Sequence, residues 1–136
     1  MSEEKNKKTE QEKVKKLTLN DFIAKAKQKE KDKLSFKDVQ TKAGLITMQK
    51  LDDKKLLELM DQIEDCDTMK EMVEVYKAVI YESVPTLRKK ELQENFKLVE
   101  PYDIVTQVFE ISEIVDLAVR IIEIHGLNDI GEDIKN

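Results

Sequence analysis

The sequence predicts a mainly α-helical fold: a compact bundle of about five or six helices with a small N-terminal β-hairpin and a disordered charged tail. Three observations lead there. Aromatic residues make up only 5% of the 136, with 3 Gly, 2 Pro and no Trp, a composition poor in the rings and turn formers that strand-rich folds use. From residue 52 onward, apolar side chains recur at the spacing of a helix face. Capping residues stand where those helices should begin. The length suits one domain.

Residues 1–16 carry almost no apolar side chains and cannot offset their ordering entropy, so a disordered tail is expected there, followed by a single helical domain over 17–136. Thr18 with Asp21 resembles a capping box, and Phe22, Ile23 and Ala26 give a short surface helix one modest apolar face. Leu34 and Phe36 alternate with polar residues, as do Leu45, Ile46 and Met48 around Thr47, so 34–51 reads as a hairpin turning near Lys42 to Gly44.

Helices are predicted over 52–64, 68–83, 87–96, 101–110 and 112–125. Asp52 and Asp53 favour the first N-terminus electrostatically, and Leu56, Leu57, Leu59, Met60 and Ile63 supply its face. Thr68 and Glu71 form a capping box, and Pro85 forces a stop before it. Pro101 suits a first helical turn because its missing N–H would have no partner there. In the last helix, the charges at 113, 116, 120 and 123 form one narrow stripe in which Asp116 can pair with Arg120. Apolar residues fill the rest, which implies burial on two sides, and Gly126 ends the helix. Leu127, Ile130 and Ile134 suggest a short amphipathic tail beyond it.

The formal charge of −5 hides an asymmetry: residues 1–55 hold 16 basic and 10 acidic side chains, and residues 56–136 hold 8 and 19. Lys25, Lys27, Lys29, Lys31 and Lys33 could contact nucleic acid, but Phe22 and Phe36 are the only rings near them, too few for a base-stacking platform. With one Cys and one His, no intrachain disulfide and no Cys/His metal cluster can form, so no metal and no cofactor are expected. No signal peptide or membrane span is expected either, and the protein reads as cytoplasmic. His125, in a last helical turn, reads as structural, and Cys66 between Asp65 and Asp67 is poorly placed for a nucleophile. No catalytic residues are assigned.

Met48, Met60, Met69 and Met72 are adaptable side chains that serve either as core or as a surface for varied partners. From periodicity alone, the candidate partner-binding residues are Met69, Met72, Tyr76, Tyr102, Val105, Leu117, Ile121 and Ile124, on helix faces expected to form a groove for another helix.

Tyr81, Ser83, Val84, Pro85, Leu87, Lys90 to Gln93 and Glu100 to Val105 carry a family resemblance. The stretch from about 76 to 115 resembles the tail assembly chaperones of Gram-positive phages and prophages, the PBSX-type or XkdN-like family. There, a helix ending Tyr-x-Ser-Val-Pro is followed by Leu, Lys-Glu-Leu-Gln and Glu-Pro-Tyr-Asp-Ile-Val before a final helix. The resemblance implies a small non-enzymatic protein of the bacterial host cytoplasm. It would bind the tape measure protein, and by extension the tail tube protein, and be absent from the finished virion. Self-association through the hairpin edge or the last helix is a further expectation. The alternative is a nucleic-acid-binding regulator using the basic N-terminal segment.

Overall fold

The structure, a computed structural model, describes residues 14–127. The expected tail falls mostly outside that range, as does the amphipathic segment after Leu127. The chain divides into two compact units after Asp32. In the first, the Thr18 N–H donates to the Asp21 carboxylate at 2.8 Å and the Asp21 N–H reaches Thr18 Oγ1 at 3.4 Å, closing the predicted capping box. Lys15 reinforces it with an ion pair to Asp21 at 3.1 Å. Helix α1 starts there, at Leu19–Leu34, running into the second unit, and buries none of its residues.

The second unit is mainly helical with a small antiparallel hairpin, as the sequence predicts. Strands β1 (Phe36–Thr41) and β2 (Gly44–Gln49) pair with Val39 opposite Ile46 and Lys37 opposite Met48. Gly44 takes a φ of +128°, beyond the easy reach of a residue with a Cβ. Val39 and Met48 point inward, so Phe36 falls on the exposed side, with Leu45; Leu34, expected to open the hairpin, instead ends α1, where it is exposed.

Helix α2 is Asp53–Glu64, capped by the Asp52 carboxylate on the Lys55 N–H at 2.8 Å. Helix α3 is Met69–Ser83; Thr68 Oγ1 accepts from the Glu71 N–H at 3.1 Å. Glu71 reaches back to the Asp67 N–H, one residue before the partner a capping box would use. Pro85 ends α3 as expected, with Val84 extended.

Two predicted helices are shorter than the periodicity implied. In place of a helix over 87–96 there is a 3-10 turn, Pro85–Arg88, then α4, Lys90–Glu94, divided by extended Lys89. In place of 101–110 there is a 3-10 turn, Pro101–Asp103, then α5, Ile104–Val108, closed by extended Phe109. The Glu110/Glu113 capping box explains that second break, because it opens a new helix, α6, at Ile111–Ile124.

Helix α6 lies along α3 and also meets β1 and α5, so it is covered from more than one side. Ile114, Leu117, Ala118 and Ile121, at helical spacing, are almost wholly sealed, whereas Val115, Val119 and Ile122 are half-buried. Each sealed Leu or Ile contributes roughly 1.5–3 kcal/mol relative to an exposed one. The core continues through Ile80, Val84, Leu87, Ile104 and Val105.

His125 closes this core. Its Nδ1–H donates to the Ile121 carbonyl at 2.8 Å, and its Nε2 accepts from the Leu51 N–H at 3.0 Å. Burial, aided by Lys50 and Lys37 and opposed by the Ile121 carbonyl and Asp53, holds the imidazole below its ordinary pKa, so the neutral ring is favoured. The expected structural role stands, through hydrogen bonds of a neutral ring. Gly126, at φ +76°, ends α6.

Candidate partner-binding site

The end of α3 organises the second unit's most distinctive surface. Arg88 folds back to donate to the carbonyls of Tyr81 at 2.7 Å and Glu82 at 2.8 Å, satisfying groups that the helix end leaves open. Gln93 of α4 donates to Tyr81 Oη at 3.3 Å and to the Leu87 carbonyl at 3.2 Å. These bonds tie the Pro85–Arg88 turn and α4 to α3.

The Pro101–Asp103 turn is tied to the same helix. The Tyr81 and Tyr102 rings meet edge to face, 4.8 Å between centroids, and Tyr102 Oη donates to Glu82 at 3.0 Å. Lys77, only 5% exposed, donates to Asp103 at 3.0 Å and to Glu74 at 3.2 Å. Burial alone would lower the Lys77 pKa, but Asp103 and Glu74 outweigh it and keep the ammonium charged. The Lys77 hydrogen bond and the Glu100 N–H hold Asp103 below the usual carboxylate range.

Between these two anchored pieces lies an open trough of about 550 Å³, lined by Arg88, Lys90, Gln93, Glu94, Phe96, Leu98, Val99 and Pro101. Val99 is 95% exposed and Phe96 38%. The trough has no His, Cys or Ser in its lining. It sets apolar side chains beside charged ones, suited to holding a segment of chain and lacking a nucleophile–base pair.

The residues selected by periodicity are not gathered here. Val105, Leu117 and Ile121 are sealed in the core and offer a partner no surface; the two-sided packing of α6, inferred from its wide apolar arc, consumes the positions it appeared to leave over. Met72, Tyr76, Tyr102 and Ile124 are half-buried, and Met69 is exposed. Tyr76 lies by Cys66, whereas Tyr102 lies at the other end of α3, by Tyr81. The expected groove around Tyr76, Val105 and Ile121 therefore does not exist, and Met48 is core.

Sequence reasoning missed Leu98, Val99 and Pro101 as a surface. The available signal was the apolar pair at 98 and 99, after the predicted helix and outside any helical period. Elsewhere, burial pushes the Cys66 thiol up, with Glu71, Asp65 and Asp67 adding to it, and its Sγ lies 3.1 Å from the Gln62 carbonyl. The five lysines of α1 are exposed and fall on two flanks of the helix, 25, 29 and 33 on one and 27 and 31 on the other. Among the described residues no helix is long and apolar enough to cross a membrane, and no group of three His, Cys, Asp or Glu could hold a metal ion.

Comparison of the chain with family profiles, with curated proteins and with solved structures gives no match in any of the three.

Proposed function

We propose that the chain is a non-catalytic tail assembly chaperone of a phage or prophage, which binds the tape measure protein in the host cytoplasm and keeps it soluble during tail morphogenesis. One observation carries the reading. The residues bearing the family resemblance, from Tyr81 to Val105, form one connected piece of structure: the end of α3, the two proline turns, and the trough between them. An apolar trough held open on a braced scaffold suits reversible capture of a long chain with apolar stripes, and the tail tube protein is a second candidate partner. His125, engaged at both ring nitrogens, is not placed for acid–base work, which supports a non-enzymatic role.

Co-expression tests it. The tape measure protein should become soluble and copurify with the chain; a client that stays insoluble with the chain in excess ends the assignment. The exposure of all five α1 lysines favours a second reading, a nucleic-acid-binding regulator. A mobility shift at low salt that fades as salt rises would support it, and no shift at low salt removes it.

A further inference from the structure

Basic side chains cluster in and beside the trough, whose lining carries Arg88 and Lys90 with one carboxylate, Glu94. Residues 56–136 carry 8 basic against 19 acidic side chains, yet Arg88, Lys89, Lys90 and Lys97 all fall within ten residues of one another. Outside this island, Lys77 is buried in ion pairs and Arg120 is paired with Asp116 at 3.2 Å. The hydrogen bonds of Arg88 go to backbone carbonyls, which leaves its charge unneutralised by a carboxylate. Lys90 approaches Glu94 only at 3.6 Å, with both side chains largely in solvent, a pairing of little energetic worth. Phe96, Leu98, Val99 and Pro101 lie beside these cations as the apolar lining.

We propose that this trough binds an acidic amphipathic segment of another protein: two or more large apolar side chains flanked by carboxylates. The apolar side chains leave water against Val99, Leu98, Phe96 and Pro101, and the carboxylates face Arg88 and Lys90, the two cations of the lining. The net acidic balance of residues 56–136 disfavours such a segment over most of that half of the chain, so charge favours the place and apolar burial supplies the hold. This deepens the reading of the trough as a docking site, and it does not depend on the client being a tape measure protein.

The test uses the full chain and two labelled peptides of about four helical turns, with leucines along one face and either Glu or Lys at the remaining positions, followed by fluorescence anisotropy. The Glu peptide should bind at least about tenfold more tightly than the Lys peptide. Lys90→Glu, alone and with Lys97→Glu, and separately Val99→Asp, should each weaken it by about tenfold or more without moving the melting temperature. Lys25→Glu with Lys29→Glu, on α1, should leave it unchanged. Equal binding of both peptides, unchanged binding in the trough variants, or loss in the α1 variants overturns the proposal. So does concentration-dependent sedimentation abolished by Val99→Asp, which would give the trough to a second copy of the chain. Val99 is almost wholly in solvent, so its variant should fold even if the charge reversals do not. If the Glu peptide binds while the tape measure protein stays insoluble, the chaperone reading falls and the trough assignment stands; the reverse outcome keeps the chaperone and removes the trough as its site.

Discussion

Helix α6 and the segment from Phe96 to Pro101 are both rich in apolar residues, yet they meet opposite fates. In α6, Ile114, Leu117, Ala118 and Ile121 are sealed by α3 and its other neighbours. In 96–101, Val99 stands almost fully in water and Phe96 is part-exposed. The more hydrophobic element is thus the less available to a partner. An amphipathic helix presents its apolar residues as a stripe that another element can cover, whereas a non-helical stretch scatters them in directions that no single neighbour can close over. The trough is braced by polar anchors around it, Arg88, Gln93, Lys77 and Tyr102, and by Leu98, which packs against the core.

The contrast is most easily broken at Ile121. Ile121→Ala should cost about 2–5 kcal/mol in chemical denaturation, through lost burial and the cavity left behind; a cost near zero would mean that α6 is not sealed. His125→Ala, at the end of the same helix, should cost about 1–3 kcal/mol by leaving the Leu51 N–H without its acceptor. It should also flatten the pH dependence of stability. The native imidazole pKa lies below the ordinary value near 6.5, so below that pH the unfolded chain binds the proton first. Stability is therefore fully present above about 6.5 and falls as pH drops through the native value. Melting temperatures from pH 7.5 to 5 should show the decline in the parent chain and less of it in the variant.

Smaller effects sharpen the comparison. The Ser83 hydroxyl is buried with no hydrogen-bond partner, so Ser83→Ala should be neutral or stabilise by up to about 1 kcal/mol; a loss above that would reveal a partner for the hydroxyl. Val99→Ser should change stability by less than about 0.5 kcal/mol while weakening peptide capture. A large loss of stability there would show that Val99 belongs to the core, contrary to its exposure.

The punctuation of the chain was largely legible. The caps at Thr18, Asp52 and Thr68, the stop before Pro85 and the glycine after His125 all lie where the sequence put them. Each depends on groups no more than a few residues apart. The Asp116–Arg120 pair was readable for the same reason. Two helices were read too long, because Leu87, Leu92, Phe96 and then Val105, Val108, Phe109 keep a helical period across extended Lys89 and up to extended Phe109. Periodicity has no way to record such a single extended residue.

What the sequence determined by itself, then, is the kind and order of the elements in the described chain, because caps, prolines and apolar spacing act within one or two turns of helix. Which apolar residues stay exposed was decided only when distant elements met. Val105 and Ile121 disappear beneath α3 and its neighbours, Lys77 is buried because Asp103, 26 residues away, comes to neutralise it, and the neutral His125 ring is favoured by burial and accepts from the N–H of Leu51, 74 residues away. Burial depends on what covers a side chain, and here the cover comes from far along the chain.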